Sequence, residues 1–137
     1  MTWTAHTLLA LVAWYILMVM LLGGYRSLLV FGGKRAANQF QASGDDMEGF
    51  GKRVTRVHAN CYENLPAAAA VLLYAIATNQ TAVTDPLANI FLGARIAQSV
   101  VHLISTARPA VFLRFGLFIA QLAILTWWIL AFLGLRG

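Results

Sequence analysis

Long runs of apolar residues, each interrupted by only a few polar positions, divide this chain into four segments. A helix that crosses the roughly 30 Å hydrocarbon core of a bilayer needs about 20 such residues. The runs predict helices over about residues 6–31, 53–78, 86–105 and 109–135. We therefore expect an all-α membrane protein, with residues 1–137 forming one domain built as a four-transmembrane-helix bundle.

The connections between these segments differ in charge. Basic residues mark loops 32–52 and 105–109, whereas the connection before Asp85 has neither Lys nor Arg. Cytoplasmic loops carry an excess of Lys and Arg, so we expect these two loops to be cytoplasmic and both termini to lie on the opposite side. Asp85 and Pro86 are typical of an N-cap and a first-turn proline, and they set the predicted start of the third helix.

Composition supports a membrane environment and narrows the choice of partners. The chain is 60% hydrophobic and 11% charged, whereas soluble domains carry about 25% charged residues. The net charge of +5 comes from residues beside apolar spans, which indicates lipid headgroups or an anionic ligand rather than nucleic acid. The single cysteine and three histidines have no metal-ligand spacing, so no metal site is expected.

Four polar residues share one face of the second predicted helix. Arg53, Arg56, Asn60 and Glu63 follow one another at i, i+3, i+7 and i+10. Charged side chains at membrane depth cost several kcal/mol unless they face protein or water, so each is a candidate functional residue.

The third predicted helix repeats the pattern with Arg95, Gln98, Ser99 and His102. Arg95 lies near mid-span, and we expect Glu63 to pair with it or with Arg56. Such pairs could be purely structural links between helices. The surplus of arginines over acids favours a shared polar cavity instead, which suits a small, anionic, peptide-like ligand because guanidinium groups bind carboxylates bidentately.

The run Arg56-x-x-x-Asn60-x-x-Glu63-x-x-Pro66 resembles the signature of the MAPEG family, the membrane-associated proteins of eicosanoid and glutathione metabolism. Its full form looks like the bacterial branch and is similar to microsomal glutathione transferases. The resemblance implies a homotrimer in the bacterial inner membrane with periplasmic termini. It also implies glutathione as co-substrate, bound between neighbouring subunits and open to the cytosol.

The resemblance further implies roles for individual residues. In the family's eicosanoid synthases an arginine near the start of helix four activates the glutathione thiol. Arg114 is preferred for this catalytic role because it lies inside the helix, and Arg108 is the alternative. The family's enzymes commonly have Tyr where this chain has His102. The glutathione-binding residues would be Arg53, Arg56, Asn60, Glu63, Arg95, Gln98 and His102.

We therefore predict a glutathione-dependent enzyme that conjugates or reduces lipophilic electrophiles or lipid peroxides through an arginine-stabilised thiolate. Two other classes remain open. One is a non-catalytic relative that binds lipid or a partner protein. The other is a small four-helix efflux transporter, which fits less well because no acid occurs between Met1 and Gly33.

Overall fold

The computed structural model describes residues 1–135 and folds them into four helices. These are α1 (Trp3–Phe31), α2 (Gly49–Ala77), α3 (Thr81–Ile104) and α4 (Arg108–Phe132). The predicted four-helix, all-α architecture is confirmed. Helix α3 packs against each of the other three helices, and α1 also packs closely along α2.

Helices α2 and α3 both begin earlier than predicted. Asp85 is not an N-cap, because Gln80 occupies that position and Pro86 lies inside α3. Asp85 instead accepts hydrogen bonds from the Thr4 backbone N–H at 2.8 Å and from the Thr4 hydroxyl. The prediction was wrong because this carboxylate ties the start of α1 to α3 rather than capping its own helix.

Three of the four helices have the length and apolar composition of a membrane span. These are α1, α3 and α4 within the described residues, whereas α2 falls short. Charged and polar residues along α2 are responsible, among them Arg53, Arg56, Asn60 and Glu63. Many large apolar side chains on the outer surfaces of α1 and α4 are exposed, among them Leu9, Met20, Phe112 and Ile119.

The tightest apolar packing lies in the half of the bundle next to the α2–α3 connection. Leu11, Leu72, Phe91 and Trp128 are buried there together, one from each helix. The Phe91 and Trp128 rings lie 5.6 Å apart. Outside this cluster, helices α2 and α4 make few contacts with each other. Space therefore remains between them toward the opposite end, where the polar residues collect.

The first loop packs over the start of α2. Arg35 forms an ion pair with Asp46 at 2.8 Å, and the Phe40 ring lies 5.1 Å from the guanidinium carbons of both Arg26 and Arg35. Gly44 is buried against α2. These contacts fix the loop beside the helix segment that carries the predicted site.

Candidate functional site

An outer cleft opens where α2 begins and α3 ends. It is lined by Gly49, Lys52, Arg53, Arg56, His102 and Thr106. Arg53 donates a hydrogen bond from Nε to the Leu103 carbonyl oxygen at 2.8 Å, which ties α2 to the last turn of α3. The Arg56 side chain is exposed. Two arginines and a lysine therefore surround an opening that faces away from the apolar core.

A second cleft, which we call the inner cleft, lies farther along the bundle, between α2 and α4, with α3 as its floor. Asn60, Gln98 and Arg114 supply its polar lining, and Val111, Phe115 and Phe118 supply an apolar wall. The Arg114 Nε is buried and has no hydrogen-bond partner. No other residue between 1 and 135 forms a hydrogen bond or ion pair with this guanidinium group. Arg114 is thus a half-buried cation whose hydrogen-bonding capacity is unused.

The two clefts belong to one region of positive charge. His102 of the outer cleft lies within electrostatic range of Arg53, Arg56 and also Arg114 of the inner cleft. Neither cleft has an Asp or Glu among its described lining residues. The arrangement can therefore attract an anion and hold it with directed N–H groups.

The polar residues of α3 divide between two surroundings. Gln98 and His102 line the clefts, whereas Arg95 and Ser99 point into the bundle. Arg95 is only 7% exposed and donates a hydrogen bond to the Asn60 Oδ1. The Ser99 hydroxyl accepts a hydrogen bond from the Trp14 indole N–H at 3.0 Å. Arg95 thus lies behind Asn60 and does not line either cleft.

The predicted ion pair of Glu63 with Arg95 or Arg56 does not form. The salt bridges within residues 1–135 are both in or next to the first loop, Arg35–Asp46 and Lys52–Asp45. Glu63 is exposed and lines neither cleft. The prediction failed because Glu63 is exposed on the outer surface of α2, whereas Arg95 is buried in the bundle and donates to Asn60 instead.

The two arginines that competed for the catalytic role have different surroundings. Arg114 lines the inner cleft. Arg108 is the first residue of α4 and is exposed, and it is absent from the lining of both clefts. Arg114 therefore shares a cleft with Asn60 and Gln98, whereas Arg108 lines neither cleft.

Gln121 is a further polar residue beside the site, and it was not predicted from the sequence. It is 2% exposed, and its Nε2 donates to the Gln98 Oε1 at 2.7 Å and to the Leu117 carbonyl at 3.1 Å. One signal was present in the sequence. Gln121 lies two helical turns after Arg114, so both occupy the same face of an otherwise apolar helix.

The described part of the chain contains no cluster of three or more His, Cys, Asp or Glu side chains that could hold a metal ion. The arginines, the amides and the histidine are the polar groups that the two clefts offer to a ligand.

A comparison with protein families decides the family of this chain. The model of the MAPEG family matches residues 4–134. The chain belongs to the MAPEG family. Searches among curated proteins and among solved structures found no match. Together with the three membrane-length helices, the family makes this chain an integral membrane protein. MAPEG members include glutathione-dependent transferases and peroxidases, and also non-catalytic proteins.

Proposed function

We propose that this MAPEG protein is a glutathione-dependent enzyme that conjugates or reduces lipophilic electrophiles or lipid peroxides. The observation that carries the proposal is the Arg114 guanidinium, which has no protein partner within the described chain and lines a cleft without carboxylates. A cation in a membrane-length helix is costly unless it faces water or has an anionic partner. A thiolate would supply that anion.

Glutathione fits the charge of the two clefts. It carries two carboxylates, and the guanidinium groups of Arg53 and Arg56 in the outer cleft can bind carboxylates bidentately. His102 adds a hydrogen-bonding group beside them, in the position where family enzymes commonly have Tyr. The amides of Asn60 and Gln98 continue the polar lining toward Arg114. Arg95 would not contact the ligand. It would orient Asn60 by donating a hydrogen bond to its Oδ1 from the interior of the bundle.

Arg114 would act on the sulfur. A free thiol has a pKa of about 8.5, and only the thiolate is strongly nucleophilic. A guanidinium group in a cleft of low dielectric constant favours the thiolate. In conjugation, the thiolate forms a C–S bond and the leaving group departs or the product takes up a proton. In peroxide reduction, two glutathione molecules are oxidised to a disulfide, and the hydroperoxide takes their two electrons and two protons, so that its O–O bond breaks to give an alcohol and water.

The lipophilic substrate would enter from the bilayer. Phe115 and Phe118 form an apolar wall next to Arg114, and the neighbouring α4 surface exposes Phe112 and Ile119. An electrophile dissolved in lipid could therefore reach the sulfur without crossing the charged outer cleft.

The remaining elements of the proposal concern placement and assembly. Helix α2 has 29 residues, the same length as α1 against which it packs, so we include it as a fourth span. The protein would be a homotrimer in a bacterial inner membrane, similar to microsomal glutathione transferases. Loops 32–52 and 105–109 would face the cytoplasm and both termini the periplasm. The Glu63 carboxylate would meet the glutathione amino group only where a neighbouring copy completes the site.

Calorimetric titration of glutathione into the detergent-purified protein tests the proposal. We expect the wild type to bind and Arg56→Ala to lose about tenfold to a hundredfold in affinity, because a charge-assisted hydrogen bond is removed. Lys34→Ala is the control, since it removes one positive charge from an exposed loop position that lines neither cleft. Absence of binding to the wild type would refute the proposal.

A non-catalytic MAPEG protein is the second candidate, and His102 in the common tyrosine position favours it. Such a protein would bind glutathione in the same clefts without turning it over. Assays with an aryl halide and with an organic hydroperoxide separate the two candidates. We expect glutathione-dependent turnover of at least one substrate class, and binding without turnover of either would favour the non-catalytic protein.

A further inference from the structure

Two side-chain amides, those of Asn60 and Gln98, line the inner cleft beside Arg114. An amide can present either its NH₂ group or its oxygen, so its orientation decides whether a ligand meets a donor or an acceptor. In both residues the amide oxygen accepts a hydrogen bond from a buried side chain on the interior side of the cleft. That hydrogen bond therefore determines which way each amide is oriented.

For Asn60 the orienting group is Arg95. A guanidinium group only donates hydrogen bonds, so the amide atom that meets it must be the Oδ1 oxygen. The Asn60 Nδ2 takes part in no hydrogen bond within residues 1–135. It is left as a donor for whatever enters the inner cleft.

For Gln98 the orientation follows from a backbone carbonyl. The Leu117 oxygen can only accept, so the Gln121 atom 3.1 Å away must be the Nε2 nitrogen. The same nitrogen lies 2.7 Å from Gln98, so the Gln98 atom that it meets must be the Oε1 oxygen. The Gln98 Nε2 has no hydrogen-bond partner in the described chain, so it can donate to a ligand in the inner cleft.

This orientation has a cost inside the bundle. The Gln121 Oε1 is buried without a hydrogen-bond partner, and Gln121 lines the same interior cavity as Arg95. A buried amide oxygen without a partner destabilises the folded protein. Reversing the amide would direct this oxygen at the Leu117 carbonyl, which is worse because both groups only accept.

We propose that Gln121 is a positioning residue that fixes the Gln98 amide so that the inner cleft presents only hydrogen-bond donors to the sulfur of bound glutathione. The inference deepens the proposed function and rests on it. Hydrogen bonds to a charged form favour that form, so donors aimed at the sulfur favour the thiolate over the thiol. A reversed Gln98 would place an oxygen lone pair against the thiolate and oppose its formation.

The pH dependence of the thiolate ultraviolet absorbance of bound glutathione tests the inference. In Gln121→Leu, Gln98 can take either orientation, so we expect the pKa of the bound thiol to rise by about one, which corresponds to one weakened charged hydrogen bond. Affinity for S-methylglutathione should change much less, because that ligand has no thiol to ionise. Gln80→Leu, at the N-cap of α3 and outside the lining of both clefts, is the control.

A second variant separates this role from packing. In a Gln98→Leu background, the further change Gln121→Leu should leave the thiol pKa unchanged, because the amide through which Gln121 acts is gone. The double variant replaces both amide partners by apolar groups, which folded proteins tolerate better than the loss of one partner.

The outcomes keep the two proposals apart. A wild type that binds no glutathione would refute the proposed function. If the wild type binds glutathione as the thiolate and the thiol pKa is the same in Gln121→Leu, the role of Gln121 would be refuted. The proposed function would not be affected by that result. An equal rise in both backgrounds would overturn it as well, since Gln121 would then act without Gln98.

Discussion

Arg114 and Arg108 both belong to the first half of α4, yet their surroundings differ. Arg108 is exposed at the helix start, where water can solvate its charge. Arg114 is half-buried beside Phe115 and Phe118, and its Nε has no partner. A guanidinium group in such surroundings interacts more strongly with an anion than one in water does, because the local dielectric constant is lower.

This difference predicts unequal effects of removing each arginine. In Arg114→Ala, we expect the thiolate absorbance of bound glutathione to disappear at neutral pH and turnover to fall by at least about a hundredfold, as happens when a preorganised charge donor is lost. Arg108→Ala should keep the absorbance. Spectra recorded with saturating glutathione check both variants, and a thiolate signal that survives in Arg114→Ala but vanishes in Arg108→Ala would reverse the assignment.

At the scale of elements, the first loop depends on a close contact between Gly44 and α2. Gly44 has a φ of +77°, and a Cβ there would lie 3.0 Å from the Thr55 Cβ. Thr55 cannot easily move, because it is 1% exposed and its hydroxyl donates to the Gly51 carbonyl at 2.8 Å. The loop therefore reaches α2 only with glycine at this position.

Gly44→Ala should destabilise the protein more than Gly33→Ala does. Gly33 has a φ of +73°, but a Cβ added there would meet nothing within 4 Å, so both variants share the backbone cost of about 1–2 kcal/mol. The clash with Thr55 adds roughly 1–3 kcal/mol for Gly44→Ala alone. Thermal unfolding in detergent measures the difference, and equal melting temperatures would show that the loop does not pack on α2.

Sequence patterns located the helices but not all of their ends. The apolar runs were sufficient for α1, α3 and α4, whose length and composition suit a bilayer, and the apolar second half of α2 located that helix. The start of α3 was missed because Asp85 has the properties of a cap, and only the tertiary structure shows that Thr4 takes its carboxylate instead.

The candidate site was predictable as far as helical spacing determines it. Spacing identified Arg56, Asn60 and Gln98, because residues three or four apart share a helix face. The link from Gln121 to Gln98 and the outward position of Glu63 depend on how helices rotate against each other. The pattern of a single helix does not contain that information.

At the scale of the whole molecule, the protomer leaves a charged residue in an unfavourable place. Glu63 is the middle residue of α2, fourteen residues or roughly 21 Å from either end of the helix. Its side chain is exposed on the protomer surface. If α2 spans the membrane, a lone protomer would direct this carboxylate at lipid, at a cost of about 3 kcal/mol for an acid at the helix centre.

Self-association would remove that cost by covering the α2 surface around Glu63 and Arg56 with another copy. We expect native mass spectrometry from a mild detergent to show three copies, as MAPEG proteins generally form trimers. Glu63→Leu should shift the population toward smaller species, because a leucine can face lipid without the cost that association removes for the carboxylate. Glu48→Leu, at the exposed N-cap of α2, should not. A monomeric wild type would contradict the assembly, whereas an unchanged trimer population in Glu63→Leu would show that burial of the carboxylate does not drive association.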